Sequence, residues 1–122
     1  MVRQQFLFRV TSATRELFND FAEYSGLEPS GLAYMLAEEQ APLVAGLSLN
    51  ALIALNDTTI QALGDNELGI KDSCIHGSLE PQTFEVYCAS AKRCNKKYTS
   101  IAKVAILYGF VEEARAERFA LH

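Results

Sequence analysis

Gln5-Phe6-Leu7-Phe8-Arg9-Val10, followed at once by Thr11-Ser12, is the stretch on which the fold of this chain turns. Its side chains alternate with period two: Phe6, Phe8 and Val10 form one face, and Gln5, Leu7 and Arg9 the other. Aromatic and branched residues in that pattern predict a strand with one face buried and one in solvent. Thr11 or Ser12 then offers an N-cap, because a hydroxyl there accepts from the free amides of a first helical turn. Ala13, Leu17, Phe18, Phe21 and Ala22 recur at the spacing of one helix face, while Arg15, Glu16, Asn19, Asp20 and Glu23 take the opposite one. Ser25-Gly26 closes this helix, since glycine accepts the left-handed conformation of the C′ position. Pro29 suits the first turn of a second helix, with Leu32, Met35, Leu36 and Ala37 as its apolar stripe, and Pro42 ends or kinks it.

Further along, Leu47, Leu52, Ile53, Leu55, Ile60 and Leu63 predict more helix over 46–63, with Asp57 or Thr58 able to cap a second short piece. Gly64 to Gly77, rich in Gly, Asp, Asn and Ser, reads as loop. From Phe84 the apolar series Phe84, Tyr87, Cys88, Ala91, Cys94, Tyr98, Ile101, Ala102, Ala105 and Tyr108 suits one long helix. Two helices broken near Thr99-Ser100 fit as well; Gly109 is a weak point, and residues 110–121 continue helical. A strand at 84–88 is the alternative there. The spacing from Phe84 onward does not reproduce that from Phe6 to Gly26, so no internal repeat is expected. The expected division is 1–45 as one unit and 46–122 as a helical region with a loop near 64–80.

A six-residue strand, an amphipathic helix closing on glycine, a short turn and a second apolar helix together resemble the ribbon-helix-helix family of the Arc/MetJ type. The resemblance covers Gln5 to about Gln40, and Gly26-Leu27-Glu28-Pro29-Ser30-Gly31-Leu32 looks like the family's inter-helix turn. It implies a mainly α fold and a homodimer whose two strands form an antiparallel ribbon that enters the major groove of double-stranded DNA. The base-reading positions it implies are Gln5, Leu7 and Arg9; Arg offers a donor fork to guanine, Gln a pair to adenine, and Leu an apolar contact to thymine methyls. It implies DNA backbone contacts at the turn, where Ser30 lies, and Arg3 is a further candidate for such a contact, with Arg15 the other base available in this region. Two residues depart from the pattern. Glu28 stands where a hydroxyl residue is usual, and Pro29 removes an amide, so this helix end repels phosphate rather than attracting it.

Charge is unevenly spread. The net charge is −4 over 122 residues. Residues 1–45 carry three basic and six acidic side chains, and residues 46–80 carry Lys71 against five acidic groups. Residues 81–122 carry seven basic and four acidic ones. The C-terminal third is therefore the positive end. If helical, Lys92, Lys96 and Lys103 fall on nearly one side with Arg93 and Lys97 adjacent, a stripe suited to DNA backbone or to an acidic protein partner, or simply to solvent. Cys74, Cys88 and Cys94 lack paired spacing and read as reduced thiols. His76 reads as a polar loop residue and His122 as a terminal one, neither as a ligand. Phosphate-loop, nucleophile-elbow and metal-site spacings are missing, so no enzyme, cofactor or metal is expected. No apolar run reaches the ~20 residues of a membrane span, and no secretory leader is seen, so a cytoplasmic protein is expected. The favoured function is a small dimeric DNA-binding regulator: a transcriptional repressor, an antitoxin-like autoregulator or a plasmid-transfer accessory. The second reading uses the same fold as a protein-interaction scaffold or inhibitory protein of a mobile element.

Overall fold

The computed structural model describes residues 2–121, so His122 lies outside the described residues. The chain runs β1 (Gln4–Val10), α1 (Ser12–Tyr24), α2 (Pro29–Glu39), α3 (Ala41–Ala45), α4 (Leu49–Leu63), a 3-10 turn (Gly64–Glu67), β2 (Ser73–Leu79), α5 (Pro81–Cys94) and α6 (Tyr98–Ala116). It is mainly α, as the sequence implied. β1 buries Phe6, Phe8 and Val10 and exposes Gln5, Leu7 and Arg9, the two faces that the alternation predicts. Thr11 is the N-cap of α1, its hydroxyl accepting from the Thr14 amide at 3.1 Å. Thr14 rather than Ala13 completes the buried face with Phe18, Phe21 and Ala22.

The partner of β1 corrects the expectation. It is not a second copy in an intermolecular ribbon but β2 of the same chain, antiparallel, in register from Gln4↔Leu79 to Val10↔Ser73. The stretch expected as loop therefore contains a strand. The expected absence of a repeat also fails. Gln4, Ser12 and Pro29 open β1, α1 and α2; Ser73, Pro81 and Tyr98 open β2, α5 and α6, each 69 positions later. Buried residues follow the same offset: Leu32 and Ile101, Ala33 and Ala102, Leu36 and Ala105, Ala37 and Ile106. The inter-helix turns match too. Gly26 and Asn95 both take positive φ, 74° and 54°. The next amides close back alike, Leu27 onto the Ala22 carbonyl at 2.8 Å and Lys96 onto that of Ala91 at 2.9 Å. The central cross-strand pair, Leu7↔His76, is itself a pair of equivalent positions. Two strand-helix-helix units thus share one sheet with a register symmetric about its middle.

The helix break falls at Asn95-Lys96-Lys97, ahead of Thr99-Ser100, because Asn95 adopts the left-handed turn. Residues 84–88 are helical within α5. α6 passes through Gly109 without interruption and ends at Ala116, short of residue 121. A Cβ on Gly109 would meet Leu36 and the Gln40 side chain at 3.3 Å, so the small residue lets α6 lie close to α2. α6 is apolar nearly all round and forms the centre of the core, where Phe110 packs edge-on to Phe18 with ring centroids 5.3 Å apart. α3 and α4 link the units. α4 is one continuous helix, with Thr58 donating to the Ala54 carbonyl at 3.0 Å instead of capping a second piece. Among the described residues no helix is long and apolar enough to cross a membrane.

Candidate nucleic-acid interface

The outer face of the sheet consists of three cross-strand pairs: Gln5↔Ser78, Leu7↔His76 and Arg9↔Cys74. Gln5, Leu7, Arg9 and His76 are exposed, Cys74 is half-buried and Ser78 is buried. The β1 half is therefore the more accessible of the two.

Beside Leu7 and Arg9 the start of α6 borders an open groove of about 590 Å³, lined by Leu7, Phe8, Arg9, Lys71, Lys97, Thr99, Ser100 and Lys103. Tyr98, the first residue of α6, fixes this helix end. Its ring meets Phe84 edge-on at 5.0 Å and Phe6 at 6.3 Å, which ties α6 to α5 and the sheet. Lys97, the residue preceding the helix, makes no side-chain cap and is exposed.

Beneath the groove lies Glu67, only 2% exposed. Its Oε1 has no hydrogen-bond partner among the described residues but sits 3.4 Å from Lys71 Nζ and 3.5 Å from Lys103 Nζ. Lys103 also donates to the Arg9 carbonyl at 2.8 Å, and Lys71 to the carbonyl of Glu67 itself. Thr11 and Thr14 donate to the Asn66 carbonyl, fastening the 3-10 turn under the start of α1. The buried carboxylate thus anchors two ammonium groups while leaving them partly in solvent. Four cationic side chains line the groove above a single buried carboxylate, so its potential is positive. Free amides at the start of α6 and the hydroxyls of Thr99 and Ser100 add donors suited to phosphate oxygens.

The equivalent end of α2 is chemically different. Glu28 precedes the helix, Pro29 occupies its first turn, and the adjoining groove of about 230 Å³ has Arg15 as the one strong base among the described residues, beside Asn19, Ser30, Cys74, Ile75 and His76.

Of the residues singled out from sequence, the structure brings together Leu7, Arg9, Lys97 and Lys103. Gln5 lies on the same strand face, and Lys96 flanks Lys97 in the turn before α6. The single basic stripe does not form, because the break at Asn95 puts Lys92 and Arg93 on α5 and Lys103 on α6. Arg93 is occupied instead with the end of α3, donating to the carbonyls of Val44 at 3.1 Å and Ala45 at 3.0 Å. Lys92 is exposed but does not line the groove. Arg3 pairs with Glu80 at 2.9 Å and lies 3.7 Å above the centre of the Tyr34 ring. Hydrogen bonds from Tyr34 and then Arg3 hold the Glu80 carboxyl below its ordinary range. Ser30 belongs to the smaller groove. Sequence reasoning missed Lys71, Thr99, Ser100 and His76. The last could have been found by carrying period two through Ile75, Gly77 and Leu79; Lys71 and the hydroxyls carry no such signal.

Two features bear on chemistry. Burial, reinforced by Glu85, pushes the Cys88 thiol up and away from the reactive thiolate. Among the described residues no three His, Cys, Asp or Glu side chains converge on a point where a metal could sit. No family model, curated protein or solved structure matches this chain.

Proposed function

We propose that this chain binds duplex DNA, with the outer face of the β1–β2 sheet toward the major groove and a phosphate seated at the start of α6. Two strands lie side by side within one chain, each followed by two helices, where the family resemblance implied a ribbon of two chains. The observation that carries the reading is the conjunction of exposed Gln5, Leu7 and Arg9 with a groove holding Lys71, Lys97 and Lys103. A two-stranded ribbon fits the width of the major groove, and sheet-borne Arg and Gln have the donor geometry to read base edges. Lysines and helix amides beside the sheet would fix its register on the backbone. On this reading the chain serves as a small DNA-binding regulator. The homodimer expected on the ground that β1 needs a second copy loses that ground, since the edge is already paired.

The test is a titration with mixed-sequence duplex at two salt concentrations. Neutralising about three phosphates gives a slope of roughly −3 in log affinity against log salt. Lys97→Ala should weaken binding to all sequences and reduce that slope by about one. Arg9→Ala should cost sequence preference, about 1–3 kcal/mol at one position, more than overall affinity. No binding at low salt would sink the reading. The scaffold alternative would then be favoured by the acidic, proline-blocked start of α2, which offers a phosphate nothing.

A further inference from the structure

The sheet is symmetric in backbone and unlike in chemistry, and this combination says what kind of duplex it fits. The register is centred on Leu7↔His76, and each residue of β1 has its equivalent on β2: Gln5 with Cys74, Leu7 with His76, Arg9 with Ser78. A homodimer built on this plan would present the same three side chains twice, and a palindromic site would answer it. Here β1 presents an amide, an apolar side chain and an exposed guanidinium. β2 presents a half-buried thiol, an imidazole and a hydroxyl that is 8% exposed. Arg9, with its five donors, has Ser78 as its counterpart, a single hydroxyl withdrawn from the surface.

The flanks repeat the contrast. The groove beside β1 gathers Arg9, Lys71, Lys97 and Lys103, and among the described residues no carboxylate lines it. On the other side the residue equivalent to Lys97 is Glu28, and the one equivalent to Lys103 is Tyr34, which bonds the Glu80 carboxylate at 2.8 Å. An ammonium is replaced by a phenol whose carboxylate partner is itself paired with Arg3 at 2.9 Å. Both changes remove an ammonium from the β2 side, where Arg3 is held by Glu80 and Arg15 is the base that lines the groove, while a symmetric duplex would bring an equally charged backbone.

We infer that the target of this chain is a non-palindromic duplex site bound by one chain, with base reading concentrated on the β1 side and phosphate contacts confined to the α6 side. The inference rests on the DNA-binding reading above. It goes beyond it by fixing the symmetry of the site, the stoichiometry and the side on which the backbone is held.

The experiment selects bound duplexes from a random pool with the full chain, then maps contacts on the selected duplex by phosphate-ethylation interference, with stoichiometry from sedimentation. The expected result is a motif without two-fold symmetry, one chain per duplex, and interference on one side of the motif's centre. Arg9→Ala should flatten the preference in one half of the motif only. Glu28→Lys should tighten binding, steepen the salt slope by about one, and add interference on the previously silent side. A palindromic motif with equal interference on both sides, or two chains per duplex, would overturn the inference while leaving DNA binding intact. No enrichment and no binding at low salt would overturn the DNA reading itself, and this inference with it.

Discussion

Glu67 is the residue on which the candidate site hangs. Its side chain is fully buried, yet the charges that balance it, Lys71 and Lys103, are themselves 38% and 25% exposed. A carboxylate taken out of water is costly unless cations or donors surround it, and here both lysines do so. Removing it should therefore act in two directions. Glu67→Ala should destabilise the fold by about 3 kcal/mol, since the cavity and the stranded ammonium groups both count against it. Glu67→Gln keeps the volume, should cost less, and releases Lys71 and Lys103 toward the groove. DNA affinity at low salt should then rise even as the urea midpoint falls. Opposite movements of stability and affinity are the signature; a parallel loss of both would mean that the lysines serve the fold alone. None of this was legible in the sequence. Glu67 stands in an Asp-Asn-Glu loop signal, and only tertiary packing brings it under residues from α1 and α6. Gln5, Leu7 and Arg9 were legible, because alternation within one strand is a local property.

At the scale of elements, β1, α1 and α2 declare themselves by period and by punctuation: Thr11 at the cap, Gly26 at the stop, Pro29 at the restart. β2 does not, and Gly77 is the reason. In Ser73-Cys74-Ile75-His76-Gly77-Ser78-Leu79 the inward positions are Ile75, Gly77 and Leu79, so the middle of the apolar face is blank. The blank is filled from the opposite strand. Phe6 pairs with Gly77 in register, and a Cβ added at Gly77 would lie 2.7 Å from the Phe6 ring and 3.2 Å from Ala33. One unit's large residue thus erases the other unit's strand signal, and with it the repeat. Gly77→Ala should for this reason destabilise the protein by about 1–3 kcal/mol through overpacking, measured by urea unfolding. Phe6→Leu in the same chain should recover part of the loss, which a general glycine effect would not allow. α6 was legible as helix but not as the central one: its apolar side chains cover every face, a pattern that gives burial without direction.

The whole molecule brings together in one chain what an isolated strand-helix-helix unit cannot bury alone. The core takes Phe18 and Phe21 from the first unit and Ile106 and Phe110 from the second, joined across the interior at 5.3 and 5.5 Å between rings. Glu38 of α2 accepts from the Glu80 amide at 3.2 Å and from the Thr83 hydroxyl at 2.8 Å, so the first unit caps the first helix of the second. Tyr87 of α5 donates to the Ala37 carbonyl at 2.7 Å, and burial drives its phenol pKa upward. With polar ends satisfied across the boundary, the units have no separate cores and should unfold together. The backbone edge that would recruit a second copy is occupied, and a linker of helices, not of loose chain, brings β2 back to β1. The chain should accordingly sediment as a monomer of 13.5 kDa, and its melting temperature should not change with protein concentration. Exchange of β2 between two copies through the 41–72 linker would give a concentration-dependent dimer of the same helix content. Sedimentation equilibrium over a wide concentration range separates the two outcomes, and a dimer there would remove the basis for one chain per DNA site.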